Sequence, residues 1–231
     1  VTGVQTCALP ICGTAGWMAA ASVSKLIGNT VRVSVVESDE IGTVGVGEAT
    51  IPSMITLHKL LNIDERDFMT SVQGTFKLGI SFENWKNVNE NYIHSFGFTG
   101  KDCWAAGFQH FWLKGKQQGL SSEFGEYCNE LQAAKKNKFA VLPNNGMNYA
   151  FHMDAGLYAK YLRKIAEQHG CQRIEGKITE VQTNSDTGYI ERLILEKGQT
   201  IDGDLFIDCS GFSGLLINKT LNTEYEDWTE F

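Results

Sequence analysis

Two spacings of apolar residues alternate along the 231-residue chain. From Gly13 an alanine-rich run continues through Ile27 and predicts a helix, stopped by Gly28-Asn29. Val31 to Glu37 (VRVSVVE) is rich in β-branched residues and predicts a strand that ends in an acid. Asp64 is placed to cap a helix running through Val72 and closed by Gly74. From Thr75 to Phe82 the chain alternates as one strand would. Phe76, Leu78, Ile80 and Phe82 fall on one face, and Lys77, Gly79 and Ser81 on the other. Asp154 is a good N-cap for a helix from Ala155 to His169, with Leu157, Tyr161, Leu162 and Ile165 as its apolar stripe and Gly170 beyond it. Strands are expected near Ile178 to Val181 and Ile190 to Glu196. Leu205-Phe206-Ile207 reads as a buried strand running into Asp208-Cys209-Ser210-Gly211. The mixture predicts an α/β fold with a less regular insertion between Phe82 and Asn148.

The opening residues fit this pattern poorly. Val1 to Ile11 (VTGVQTCALPI) has no initial Met and resembles translated sequencing-adapter read-through. Pro10 removes a ladder donor where a central strand is expected. These residues are therefore expected to be foreign and to contribute no proper inner strand, leaving residues 12–231 as the native part.

Composition narrows the class. The hydrophobic fraction is 42%, the charged fraction 20% and the formal net charge -7, so nothing basic suggests nucleic acid or an acidic membrane surface. No apolar run approaches the ~20 residues that span a bilayer. Residues Ala8 to Ala21 are small and apolar, but the first basic residue is Lys25, so they do not read as a secretion signal. The six cysteines form no C-x-x-C pair and show no zinc spacing, so no metal site is expected and a reduced, cytoplasmic protein is the simpler reading.

Five motifs could carry chemistry. Gly13-Thr14-Ala15-Gly16 supplies the second and third glycines of a G-x-G-x-x-G turn, with Ile11 at the first. Such a turn lets backbone amides approach a pyrophosphate at a helix N-terminus. Glu37 follows at the spacing of an acid that binds a ribose hydroxyl; the alternative is a solvated strand-end carboxylate. Gly45-Val46-Gly47-Glu48-Ala49-Thr50-Ile51-Pro52 is a tight shaped loop, either a plain turn or a cofactor loop. Lys77 lies opposite the apolar stripe with space left by Gly79; a lone strand lysine is otherwise a solvated charge. His94 and Phe96 share one face of an extended segment, either stacking on a flat aromatic ligand or packing in a core. Asp208-Cys209-Ser210-Gly211-Phe212 ends a strand where α/β folds place ligands, or is simply a turn.

The order of these motifs, G-T-A-G-W-M-A-A, G-V-G-E-A-T-I-P, F-K-x-x-I-x-F-x-N-W, H-x-F-G and D-L-F-I-D-C-S-G-F, resembles the flavin-dependent tryptophan halogenase family. The resemblance runs from about Gly13 to the last residue. It implies a FAD-binding fold of the aromatic monooxygenase type, with an inserted substrate-side segment. It also implies FADH2 delivered by a separate flavin reductase, oxygen, and chloride or bromide converted to hypohalous acid that reaches Lys77 beside a small aromatic substrate. Carried over by position, the flavin site takes in Gly13, Thr14, Ala15, Gly16, Glu37, Ser38, Glu48, Ala49, Ile178 and Asp208. His94 and Phe96 would line the substrate. A homodimer is left open. Departures from the family are Ile11 at the first glycine and Ser213 where an arginine is common. The family's W-x-W-x-I-P motif, second catalytic glutamate and halide loop have no counterpart in these residues. The fold is therefore expected to be truncated and the fragment itself inactive. A FAD-dependent aromatic hydroxylase and an inactive nucleotide-binding fragment are the alternatives.

Overall fold

The structure, a computed structural model, describes residues 5–10, 13–41, 49–141 and 146–230. In chain order its elements are β1 (Gln5–Pro10), α1 (Thr14–Ile27), β2 (Val31–Glu37), α2 (Ser53–Leu60), α3 (Glu65–Ser71) and β3 (Thr75–Lys77). There follow β4 (Gly79–Glu83), β5 (Asn91–Ser95), α4 (Phe108–Gln117), α5 (Asn129–Lys135), β6 (Ala150–His152) and α6 (Ala155–Gln168). The last are β7 (Gln172–Glu175), β8 (Ile178–Thr183), β9 (Ile190–Leu195), β10 (Thr200–Asp202) and β11 (Leu205–Phe206). They divide between two compact units. The first comprises residues 1–47, 66–73 and 154–231, and the second residues 48–65 and 74–153.

The first unit is built on a parallel sheet in the order β11-β1-β2-β7. α1 and β2 occupy the predicted ranges, and Gly28 ends α1 at φ 65, in the left-handed region that a glycine enters without a Cβ clash. α6 is capped by Asp154, whose carboxylate accepts from Leu157 N at 2.7 Å. Its buried face differs from the expected stripe: Ala155, Tyr158, Ala159, Leu162 and Ala166 are covered, while Leu157, Tyr161 and Ile165 flank them half-buried. The neighbour explains this. α1 buries Gly16, Trp17, Ala20, Ala21 and Ser24, and two helices with small residues at their contact approach closely, which hydrophobicity alone does not reveal. Phe68 of α3 packs on the N-terminal half of α6 with its ring edge-on to Tyr158 at 5.5 Å. A second, antiparallel sheet, β10-β9-β8, packs Leu193, Leu195 and Ile201 with Val36 and Leu216 in one apolar cluster.

The expectation that the opening residues contribute no proper inner strand needs correction. β1 is an inner strand, paired in parallel with β2 along its whole length and with β11 on its other edge. Cys7 is 2% exposed. Thr6 N donates to Asp204 Oδ2 at 2.7 Å, and Asp204 N returns a bond to Thr6 O at 2.8 Å. Pairing on both edges supplies what the residue types lack, and Pro10 stands at the last position of the strand, where a missing N–H costs least.

The second unit holds two small antiparallel sheets, β3-β6 and β4-β5. Here the single predicted strand from Thr75 to Phe82 is broken at Leu78. Its first part pairs with β6 and its second with β5. Its apolar face is not fully buried either: Phe76 is 40% exposed, although it stacks on Phe139 at 4.2 Å. Gly79 is required by the second pairing, because a Cβ there would lie 2.5 Å from His94 O. Among the described residues no helix is long and apolar enough to cross a membrane.

Candidate functional site

Each unit presents one cluster of chemistry. In the first unit α1 starts at Gly13, whose φ of 105 suits glycine. The first turn of α1 carries no acid and no side-chain cap, so its N-terminal amides and dipole favour an anion. A cavity of about 230 Å³ is lined by Gly13 and Trp17 from the loop and α1, by Glu37, Ser38, Asp39 and Ile41 after β2, and by Gly156, Ala159, Lys160 and Arg163 along one face of α6. Gly13, Glu37 and Ser38 were expected together and are together. Thr14 lies beside them but turns its hydroxyl to Ala155 O at 3.2 Å. Ala15 is exposed and Gly16 buried in the helix contact. Trp17, Lys160, Arg163 and, behind Glu37, Arg173 were not foreseen. Helical spacing would have put Gly156, Ala159, Lys160 and Arg163 on one face, but nothing in the sequence said what that face met.

Glu37 is held from two sides. Arg173 Nε donates to its Oε1 at 2.5 Å and Trp17 Nε1 to its Oε2 at 3.0 Å. Arg173 also bonds Asp39 and Glu175. Burial alone would lower the Arg173 pKa, but Glu37, Asp39 and Glu175 outweigh it and raise it.

Ile178 and Asp208 lie outside this lining. Ile178 opens β8 and packs on the apolar cluster of the second sheet. Asp208 Oδ1 accepts from Ser210 N and Oγ, and its Oδ2 from Leu216 N and Ile217 N. Burial would raise its pKa, yet these donors hold it below the usual carboxylate range. Asp208 therefore fastens the turn into the Leu215–Thr220 helical segment.

In the second unit the centre is Lys77, the last residue of β3. β6 organises it: Lys77 is opposite Ala150 on one edge, and Ala49 bridges to His152 on the other. Thr50 is buried there, with its N and Oγ1 donating to Phe151 O at 2.9 and 3.1 Å. Lys77 Nζ then donates to Thr50 O at 3.1 Å and lies 5.4 Å from the centre of the Phe96 ring. Three motifs separated in sequence thus meet at one amine. Burial lowers the Lys77 pKa. Phe96 follows β5 and is anchored by its N to Leu78 O at 2.9 Å. His94 is exposed and stands opposite Ile80 in the β4-β5 ladder. Glu48 lies outside the described residues. Beneath this segment sits Glu130, 6% exposed and accepting from Asn148 N at 2.8 Å, a buried acid that no spacing announced.

A sequence profile of the tryptophan halogenase family matches residues 12–231. This chain belongs to the tryptophan halogenase family. It is 34% identical to tryptophan 6-halogenase ThaL of Streptomyces albogriseolus, over 94% of this chain and 44% of that protein. Among solved structures, a flavin-dependent halogenase from Xanthomonas campestris superposes with a TM-score of 0.92 at 58% identity, over 98% of this chain and 46% of its own. BrvH, a flavin-dependent halogenase from Brevundimonas sp. BAL3, gives 0.88 at 37% identity, over 99% and 47%. The fold is accordingly that of the FAD-binding halogenases, and the chain spans about half the length of the relatives it matches.

Proposed function

We propose that this chain forms the flavin- and lysine-bearing part of an enzyme that halogenates tryptophan or a related electron-rich aromatic. The observation that carries the reading is Lys77, desolvated, tethered to Thr50 O and facing the Phe96 ring. The first unit's groove suits an adenine dinucleotide. Its glycine turn and uncapped α1 amides would take the diphosphate, and Glu37 with Ser38 beside it would take the ribose. The chemistry that bound reduced FAD supplies is the oxidation of chloride or bromide by oxygen to hypohalous acid. A separate flavin reductase and the halide are the partners this requires.

Lys77 then acts in one of two protonation states. As an ammonium it donates to the oxygen of hypohalous acid and polarises the O–halogen bond. As a free amine it attacks the halogen: an N–halogen bond forms, the O–halogen bond breaks, and the amine proton leaves with hydroxide as water. Its partial burial shifts the balance in the direction of the second state, and Phe96 offers a face for stacking the aromatic acceptor. The hydroxylase alternative gives Lys77 no task.

The test is Lys77→Ala in a polypeptide that carries this chain at the full length of its relatives, beside Lys86→Ala. Lys77→Ala should lower product at least ~100-fold, the scale of one positioned acid, base or electrostatic group, with FAD binding intact. Lys86→Ala should be silent. Single-turnover product formation, read beside flavin absorbance, decides. Full halogenation without Lys77 makes it a solvated strand lysine, and loss of FAD makes it a structural residue. The 231-residue chain alone should yield no halogenated product.

A further inference from the structure

Glu37 has two carboxylate oxygens and four lone-pair directions. Among the described residues two are taken, one on each oxygen: Oε1 by Arg173 Nε and Oε2 by Trp17 Nε1. The remaining lone pair on each oxygen is what a vicinal diol requires, since its two hydroxyls donate side by side. Glu37, Trp17 and Asp39 line the same cavity.

The two donors come from different elements and are themselves fixed. Trp17 is 2% exposed, on α1, with the Arg163 guanidinium 5.8 Å from its ring. Arg163 is tied in turn to Glu167 of its own helix at 2.7 Å. Arg173, on β7, is bound by Glu37, Asp39 and Glu175 at once. A free glutamate on a strand end samples several rotamers. This one is locked by a planar guanidinium on one side and an indole N–H on the other.

We propose that Arg173 and Trp17 are positioning residues that set the Glu37 carboxylate to read the 2′,3′-diol of a ribose. This rests on the nucleotide reading of the groove. Their part in reading the diol is indirect: they fix the acceptor that takes the two hydroxyls.

The experiment is calorimetric titration of the purified chain with ADP and with 2′,3′-dideoxy-ADP. The native chain should bind ADP at least ~10-fold more tightly, the worth of hydrogen bonds to a charged acceptor. Glu37→Gln should reduce that ratio. Arg173→Gln and Trp17→Phe should collapse it towards one by weakening ADP far more than dideoxy-ADP, and Arg173→Lys should restore part of it. A structural role alone would weaken both ligands together. Should Arg173→Gln fail to fold, Trp17→Phe, which keeps a ring and removes one donor, decides. A ratio unchanged in Trp17→Phe and Arg173→Lys overturns the inference, as does equal binding of both ligands by the native chain. Failure of the native chain to bind ADP at all overturns the nucleotide reading itself, and the inference with it.

Discussion

Arg173 and Lys77 are both partly buried cations, and their surroundings treat them in opposite ways. Arg173 lies among three carboxylates, which outweigh the penalty of burial and raise its pKa. Lys77 is given a carbonyl oxygen and the face of a phenylalanine, and its pKa falls. The first environment makes a charge permanent, which suits a residue that must hold a neighbour still. The second favours the neutral amine, the direction the role proposed for Lys77 asks for. Burial acts on a second basic group of this unit in the same direction. His58, in the same unit, is 5% exposed, lies against Phe151 with ring centres 5.9 Å apart, and has a pKa pushed down to about 4 by burial.

This contrast predicts an asymmetric response to acid. The His58 pKa falls from 6.5 to about 4 on folding, so between those values the unfolded chain binds more protons than the folded one. Stability is therefore complete above pH 6.5 and is lost as the pH falls through about 4. The full effect is about 3 kcal/mol. Urea unfolding at pH 7 and pH 4 should show the loss, and His58→Leu should remove that part of it. If His58→Leu leaves the pH profile unchanged, the second unit is not hostile to charge in the way described.

A smaller effect, about 2 kcal/mol, is expected from Gly97→Ala. A Cβ at Gly97 would come within 1.9 Å of Glu130 Oε2, and Glu130 cannot retreat without breaking its bond to Asn148 N. Denaturant midpoints of the two proteins measure this cost. A neutral substitution would mean that Glu130 moves freely and that the segment bearing Phe96 is not clamped from below.

The finest discrimination comes from chemical labelling. Acetylation of lysines at rising pH, read by mass spectrometry, should give Lys77 a lower midpoint than a lysine in a short unstructured peptide, because only the neutral amine reacts. The midpoint reports the pKa and not the access. An equal midpoint would erase the difference between the two cations from the Lys77 side.

How much of this was legible in the sequence depends on how far apart the cooperating residues are. The groove's glycine turn, helix and strand lie between Gly13 and Glu37, so spacing and β-branching sufficed. Arg173 was invisible, because nothing near it in sequence shows that β7 pairs with β2. β1 was misjudged because Gln5 to Pro10 is a weak strand by residue type; its order comes from partners on both sides. The alternation from Thr75 to Phe82 was real, but a break at Leu78 depends on two different partner strands. Lys77 stands out in the sequence by its place opposite the apolar stripe, while its tether to Thr50 O depends on β6, some 70 residues further on.

The pairing of β1 has a consequence for how the chain is made. Its partner on one side, β2, follows at once, but Thr6 and Asp204 are 198 residues apart. At ~5–20 residues per second of synthesis, the free edge of β1 waits ~10–40 s for β11. During that interval an apolar parallel sheet presents an unpaired edge to everything around it, a template for wrong partners. Slower translation after residue 37 would lengthen the exposure.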